Sequence, residues 1–248
     1  MKGILEDILT AKARRPPYSG ADHSDLPRRS LLGAIRASSD LAVIAEFKRR
    51  SPSGGDLKLG ADALDTASAY QAAGAAALSI LTEPDFFLGA PADLAQVRLA
   101  SPLPVLRKDF LVGESDIWES RAMGADAVLL IVRLLGERLG RLLSVSQEAG
   151  LEALVEVHDA AEVKAALAAG AQMVGINNRD LDTLNTDLGV STRLAPLVRG
   201  QATVVSESGL GQRSQCLELK DLGVDAFLIG ETLLRGGSAA IFGTARPS

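Results

Sequence analysis

Charged side chains stand near the carboxyl ends of several short apolar runs in this sequence: Glu46, Lys48, Lys108, Glu156 and Glu207. A charge inside an apolar segment costs free energy unless it is paired or used. One such residue could belong to a structural ion pair. Five are better explained by a common site, where a lysine acts as an acid beside carboxylates that act as bases, and each charge shifts the pKa of the others.

Glycine-rich segments follow three apolar runs and indicate an anion site. They are Ser51–Gly55, Ser208–Gly211 and Ile229–Glu231. Loops after the last two strands of α/β barrels often bind phosphate through backbone N–H groups. Each segment alone could be an ordinary turn, but three at one end of a sheet favour a phosphate site. The run Asn177–Arg179 could bind a sugar hydroxyl and an anion, or could form a hydrogen-bonded loop.

The elements that must position these residues repeat along the chain. Glycines such as Gly124 and Gly170 end helix-like stretches, as left-handed C-caps do, and each precedes an apolar run. Repeated β–α units with right-handed crossovers form a parallel sheet. Eight of them favour a closed (β/α)₈ barrel, the TIM barrel, over an open doubly wound sheet. The predicted strands are roughly 41–49, 76–82, 104–110, 127–133, 152–157, 173–178, 203–208 and 226–230.

A barrel of this kind would bring the polar residues together. Active sites of such barrels lie at the carboxyl ends of the strands, so we expect the charges and the glycine-rich loops to share one mouth. Side-chain alternation places Glu46 and Lys48 on one face and Phe47 on the other. We expect His158 to point outward or to cap the next helix, and we give His23 no role.

The length and composition suit a single domain over residues 1–248. The chain is 47% hydrophobic, and α/β barrels of roughly 200–250 residues form one domain. Residues 1–40 stand outside the repeat, with a helix predicted over 2–15 and an irregular connection over 16–27. We expect this extension to pack on the barrel over one mouth. Its basic residues are expected to be solvated: Lys12, Arg14, Arg15, Arg28 and Arg29.

Several classes of function are disfavoured. The net charge is −5 and no basic block suggests nucleic-acid binding. We find no run of about 18 apolar residues and no signal peptide. The single cysteine, Cys216, is expected to pack in a helix over 212–222, so we expect a cytoplasmic protein without disulfides. No metal-ligand spacing and no strand-linked G-x-G-x-x-G occur, so no metal or nucleotide cofactor is expected.

Seven segments, taken in order, resemble the indole-3-glycerol-phosphate synthase family. The resemblance implies a (β/α)₈ barrel with an N-terminal helical extension and a carboxy-lyase of tryptophan biosynthesis. The reaction would close 1-(2-carboxyphenylamino)-1-deoxyribulose 5-phosphate to indole-3-glycerol phosphate, with loss of carbon dioxide and water and without a metal or redox cofactor. The segments are IAEFKRRSPSGG (44–55), LSILTEPDFFLG (78–89), PVLRKDF (104–110), LVEVHD (154–159), GINNRDL (175–181), SESGL (206–210) and LIGETLLR (228–235).

The resemblance also implies a role at each matching position. Lys108 would be the general acid that protonates the ketone oxygen, and Glu156 the second acid or base. Glu46 and Lys48 would form a coupled pair near the substrate carboxylate and the leaving hydroxyl. Asn177 would orient the sugar hydroxyls. The remaining positions would be catalytic and substrate contacts (Glu207, Ser208), the phosphate site (Ser51, Arg179, Gly209, Gly230) and the wall of the anthranilate pocket (Phe87, Phe110, Leu129).

Two alternatives stay open. Another phosphate-binding barrel, such as phosphoribosylanthranilate isomerase, uses a cysteine base early in the barrel, whereas Cys216 is late. A non-catalytic sugar-phosphate-binding barrel would keep the phosphate loops but lose the acid–base residues, and both sets are present here. The extension is short and contains the unusual stretch Pro16–Tyr18. The sequence also leaves open which of Lys48 and Lys108 serves ring closure and which serves dehydration.

Overall fold

A computed structural model describes residues 4–20, 25–52 and 54–242, so His23 and Ser53 lie outside the described residues. Eight parallel strands form a closed barrel in which the first strand pairs with both the second and the last. The predicted fold is confirmed, and each predicted strand is present with at most two residues trimmed from an end. The barrel strands are β1 Ala42–Phe47, β2 Ala77–Leu81, β3 Val105–Lys108, β4 Ala127–Ile131, β5 Glu152–Val157, β6 Met173–Asn177, β7 Thr203–Glu207 and β8 Ala226–Ile229.

Helices connect the strands and cover the outside of the barrel. Glycines at several helix ends have left-handed backbones, as at Gly124 (φ 88°) and Gly170 (φ 85°), which confirms the predicted caps. Cys216 is buried in the helix Arg213–Asp221, as expected. The helices are α1 Ile4–Lys12, α2 Leu31–Ala37, α3 Ala63–Ala72, α4 Pro84–Phe87, α5 Pro91–Ala100, α6 Glu114–Ala122, α7 Val132–Leu135, α8 Leu139–Glu148, α9 Ala160–Ala168, α10 Gly189–Val198, α11 Arg213–Asp221, α12 Glu231–Leu234 and α13 Ser238–Phe242.

Two further features lie outside this alternation of strand and helix. A short antiparallel hairpin pairs Arg50–Ser51 with Gly55–Asp56 directly after β1. A single 3₁₀ turn, Gly136–Arg138, joins α7 to α8. Within the described ranges, every helix is too short or too polar to cross a membrane.

Strand alternation divides the apolar residues into two layers. Val43 and Phe47 of β1 face the surrounding helices and belong to the large outer core. Ile44 points into the barrel and packs with Leu106 and Leu154 from other strands. The next inward position on each of these strands, two residues further on, is charged. The apolar floor of the barrel therefore lies directly beneath the charged layer.

The N-terminal extension contacts both ends of the barrel. Ile4 and Ile8 of α1 line the cavity at the carboxyl ends of the strands. Helix α2 lies at the opposite end, where the Leu32 N–H donates to Glu152, the first residue of β5. Leu31 of α2 is fully buried against the barrel interior. This second contact was not predicted.

The prediction that the basic residues of the extension are solvated is wrong for three of them. Lys12 forms an ion pair with Asp116 at 3.1 Å. Arg15 pairs with Glu83 at 2.8 Å. The Arg29 guanidinium donates to the backbone carbonyls of Arg98 and Leu103, and its backbone N–H donates to the buried carboxylate of Asp126 at 3.0 Å. These contacts anchor the extension, because their partners in the barrel are distant in sequence.

An ion pair beneath the barrel generates a stability prediction. Asp126 accepts hydrogen bonds from Arg98 and from the backbone of Val105, and both charged side chains are almost fully buried. Asp126→Asn leaves the Arg98 charge uncompensated, so we expect the free energy of unfolding to fall by about 3 kcal/mol. Urea unfolding measures this. The exposed Asp221→Asn is the matched control, with a change of about 0.5 kcal/mol or less. Equal losses in both variants would contradict the prediction.

Candidate active site

A cavity of about 310 Å³ opens at the carboxyl ends of the barrel strands. Concave sites with a few convergent polar groups are the usual form of an enzyme pocket. All fourteen residues predicted for the site lie on its walls. They are Glu46, Lys48, Ser51, Phe87, Lys108, Phe110, Leu129, Glu156, Asn177, Arg179, Glu207, Ser208, Gly209 and Gly230.

The centre of the cavity is an ion triad. Lys108, the last residue of β3, places Nζ 2.8 Å from Oε2 of Glu156 and 2.9 Å from Oε2 of Glu207. Both glutamates are almost completely buried. Their strands, β5 and β7, alternate with β3 around the barrel, and alternate strands contribute side chains to one layer of a barrel. Glu46 comes from β1 and completes that layer.

The three ionisable groups of the triad differ in the direction in which their pKa values are shifted. Burial lowers the pKa of Lys108, but the surrounding carboxylates outweigh burial and raise it above its usual range. Burial raises the pKa of Glu156, but Lys108 and His158 outweigh burial and hold it well below its usual range. Burial, together with the charges of Glu156 and Glu46, raises the pKa of Glu207 to about 7. Glu207 is thus the member that titrates near neutral pH.

Two glycines make room for the carboxylates. A Cβ at Gly175 would lie 2.1 Å from Oε1 of Glu207, and one at Gly230 would lie 2.5 Å from Oε1 of Glu46. Oε1 of Glu207 is buried there, and no residue in the described ranges offers it a hydrogen bond. The missing donor is consistent with a carboxyl group that retains its proton to a higher pH.

Glu46 and Lys48 form a second ion pair at the mouth. They share one face of the chain while Phe47 is buried on the other, as alternation predicted. Tyr70 directs its hydroxyl toward the backbone carbonyl of Glu46, and burial raises the pKa of that hydroxyl. The pair adds a cation to the mouth at a position separate from the triad.

Hydrogen bonds of Asn177 connect the triad to the loops that follow β6 and β7. Its amide donates to Glu156 Oε1 at 3.1 Å, and its carbonyl oxygen accepts from Ser208 Oγ at 2.9 Å and from the Arg179 N–H at 3.0 Å. Ser208 has φ +66°, a left-handed backbone that costs free energy for a residue with a side chain. Asn178 does not line the cavity. It instead bonds the backbone of β7, so the hydrogen-bonded-loop interpretation is correct for that residue.

The predicted anion contacts gather on one side of the mouth. Ser51, Arg179, Gly209 and Gly230 all lie there. Sequence reasoning missed Arg235, which also lines the cavity and lies one helical turn after Glu231. The carboxylate of Glu231 lies 3.1 Å from Arg235 and 3.9 Å from Arg179. The i, i+4 spacing in LIGETLLR was the available signal.

An apolar wall stands opposite the polar groups. The rings of Phe87 and Phe110 have centroids 6.1 Å apart and are tilted by 37°. Leu129 and, from the extension, Ile4 and Ile8 continue the wall. The arrangement offers an apolar surface next to the acid–base layer, which suits an aromatic group.

The expectation that His158 points outward is wrong. Its ring lies between two carboxylates, with Nε2 3.4 Å from Glu156 Oε1 and Nδ1 3.1 Å from Glu162 Oε2. Residues two apart on an extended chain share a face, so Glu156 and His158 lie on the same side. The capping signal was correct at Asp159, which accepts the N–H of Glu162 at 2.8 Å and begins α9.

The fold and the cavity define a (β/α)₈-barrel enzyme with a buried acid–base layer beside an anion site. The indole-3-glycerol phosphate synthase family model matches residues 3–242, and the chain belongs to that family. It is accordingly a decarboxylating lyase that forms indole-3-glycerol phosphate in tryptophan biosynthesis.

Relatives that carry the family name support this assignment. One from Desulfosudis oleivorans is 41% identical over 243 residues, which are 96% of this chain and 92% of the relative. One from Syntrophobacter fumaroxidans is 48% identical over 214 residues, with 85% and 81% covered. A solved N-acetylmannosamine-6-phosphate 2-epimerase from Clostridium perfringens shares only the fold. Its TM-score is 0.63 at 15% identity, over 87% of this chain and 95% of that one.

The close fit of Gly175 against Glu207 generates a prediction. An added Cβ would meet the end of a flexible side chain, so Gly175→Ala should displace Glu207 while the barrel keeps its fold. We expect kcat to fall roughly 10²-fold, as misplacement of a catalytic group by about 1 Å does. Steady-state kinetics and thermal unfolding measure this. Gly140→Ala, where a Cβ meets open space, is the matched control. Full activity of Gly175→Ala would contradict the placement of Glu207.

Proposed function

We propose that the triad and its neighbours carry out the ring closure, with Lys108 as the acid. The observation that supports this most directly is a buried lysine held as a cation between two carboxylates at the mouth. The ring carbon that bears the carboxyl group attacks the ketone carbon, and Lys108 donates a proton to the ketone oxygen. Carbon dioxide then leaves and the aromatic ring is restored.

Dehydration needs one further acid and one base. The new hydroxyl leaves as water and takes a proton, while the adjacent methylene carbon loses one to complete the indole. We propose that Lys48 protonates the leaving hydroxyl. Its ammonium group forms an ion pair with Glu46 at the mouth. We propose that Glu207 removes the methylene proton. The pKa of Glu207 is raised to about 7, and a general base works best when its pKa is near the operating pH.

In this scheme Glu156 transfers no proton and has an electrostatic role. The resemblance gave it as the second acid or base, but its pKa is held well below the usual range, chiefly by Lys108 and His158 acting against burial. We therefore propose that Glu156 remains an anion, holds Lys108 in place and balances positive charge that develops on the substrate. Asn177 and Ser208 are hydrogen-bonded to each other and hold the Glu156 carboxylate and the sugar hydroxyls in fixed relative positions.

We propose one orientation for the substrate in the mouth. We place its phosphate on the side of Ser51, Arg179, Gly209 and Gly230, where backbone N–H groups and a guanidinium meet. We place its aromatic ring against Phe110 and the neighbouring apolar wall. The ketone carbon then lies over the charged layer. Every charge in this scheme is carried by a side chain, so we propose that the reaction takes place without a metal or cofactor.

We also propose a cytoplasmic location. A biosynthetic enzyme with one buried cysteine, Cys216, suits a reducing compartment, where thiols stay reduced. The net charge of −5 makes nucleic acid an unsuitable partner.

The role of Lys108 is tested by removing its charge. Lys108→Met lacks the acid, so we expect kcat to fall by roughly 10³-fold, within the range for a lost general acid. Mixing enzyme and carboxyphenylamino-deoxyribulose phosphate in EDTA and following indole fluorescence measures this. Lys164→Met, on the exposed face of α9, is the control and should match the parent. If Lys108→Met closes the ring and stalls at dehydration, the roles of Lys108 and Lys48 are exchanged. If the parent gives no indole but binds the substrate, the barrel only binds.

The raised pKa of Glu207 predicts that kcat/KM depends on pH. A base must be ionised, and the pKa of Glu207 is raised from the usual range to about 7 by burial and nearby carboxylates. We therefore expect kcat/KM to increase as pH rises through about 7 and to be reduced about tenfold for each pH unit below it. Glu207→Gln should lower kcat and remove this acid limb. A midpoint near pH 4.5, unchanged in Glu207→Gln, would exclude Glu207 as the base.

A further inference from the structure

We propose that His158, held as an imidazolium between Glu156 and Glu162, is a positioning residue for the Glu156 carboxylate. The proposal rests on the catalytic role proposed for Glu156. His158 does not line the cavity, so it acts through its neighbour and does not contact the substrate.

Local geometry fixes the imidazole. Strand β5 ends at Val157, and Asp159 caps α9, so His158 lies in the sharp turn between them. The side chain of Glu162 reaches back from the first turn of α9 and accepts both the His158 N–H at 2.7 Å and Nδ1 at 3.1 Å. The cap of α9 therefore sets the orientation of the ring.

The opposite edge of the ring points to the catalytic carboxylate. Nε2 lies at ion-pair distance, 3.4 Å, from Glu156 Oε1 and has no hydrogen-bond partner in the part of the chain that is described. The side chain of His158 is 5% exposed. A neutral imidazole has one donor and one acceptor nitrogen, whereas the imidazolium has two donors. Carboxylates on both edges therefore select the charged form.

The surrounding charges alternate in sign. Glu156 and Glu162 face the ring, Lys108 lies behind Glu156, and Arg133 of α7 lies 3.2 Å from Glu162. Burial lowers the pKa of His158, but its two carboxylate neighbours outweigh burial and raise it to about 9. A group whose pKa is raised keeps its proton below that value, so His158 carries its charge throughout the neutral range and loses it above about pH 9.

The imidazolium has a definite effect on the triad. Lys108 contacts one oxygen of Glu156, while His158 and the Asn177 amide contact the other. Without His158, one of two cations beside Glu156 is lost and its pKa rises. Glu156 then competes with Glu207 for a proton, and the hold on Lys108 weakens. A residue that merely fills space would not move the titration of the triad.

The experiment uses two readouts on the whole chain. The sequence contains two histidines, so ¹⁵N imidazole NMR shows two ring systems, and His158→Gln and His23→Gln assign them. We expect the His158 ring to be an imidazolium at pH 7.5 with a midpoint near 9. Glu162→Gln should shift that midpoint downward. These signals do not depend on turnover.

The kinetic readout compares His158→Gln with the parent. We expect kcat to fall roughly 10- to 100-fold, KM to stay within about threefold because His158 makes no substrate contact in this scheme, and the acid limb of kcat/KM to move to higher pH. Glu162→Gln should lower kcat less. A neutral ring at pH 7.5, or a His158→Gln variant with the parent's kcat and acid limb, would overturn the proposal. An inactive parent with a charged His158 ring would instead overturn the proposed role of Glu156.

Discussion

The central constraint in this molecule is a layer of buried charge inside a closed barrel. Glu46, Lys108, Glu156 and Glu207 come from alternate strands, so one layer holds three carboxylates and one lysine, which contacts two of them. Buried charges lose their hydration, and the loss is offset only by close partners of opposite sign. A single lysine cannot neutralise three carboxylates. The excess negative charge is therefore met by Lys48 and by His158, and the pKa of Glu207 is raised to about 7.

The rest of the barrel is arranged so that this layer can exist. Beneath it, Ile44, Leu106 and Leu154 form an apolar floor that supports the charged positions from below. Beside it, Gly175 leaves the volume that Glu207 occupies. Stability and chemistry are thus separated along the barrel axis. The buried Arg98–Asp126 ion pair, which also accepts the backbone N–H of Arg29, lies at the amino ends of the strands, away from the acid–base layer.

The sequence was most informative where the constraint is local. Apolar runs that follow glycine caps predicted the strands to within two residues, and the strand ends then placed Glu46 and Lys108 in one mouth. Contacts between distant segments were not predictable. The partners of Lys12 and Arg29 are Asp116 and Asp126, more than 90 residues away, and no local pattern links them. The prediction for His158 was wrong for a different reason. Residues two apart on a strand share a face, and this rule was used for Glu46 and Lys48 but not for Glu156 and His158, although it holds for both pairs.

The proton inventory of the reaction explains why one carboxylate of the triad titrates and the other does not. Ring closure and loss of water each need a proton on oxygen; the methylene carbon returns one of these, and solvent supplies the other. A lysine with a raised pKa is a weak acid toward water, but it is suited to an alkoxide that forms 3 Å or so away, because the alkoxide is a strong base. Neutral Lys108 must then be reprotonated. Glu207 takes the methylene proton at the end of the cycle and lies 2.9 Å from Lys108 Nζ, so the proton can return directly. If Glu156 also titrated, the returned proton would be shared between two carboxylates; His158 and Asn177 keep it on the Glu207 side.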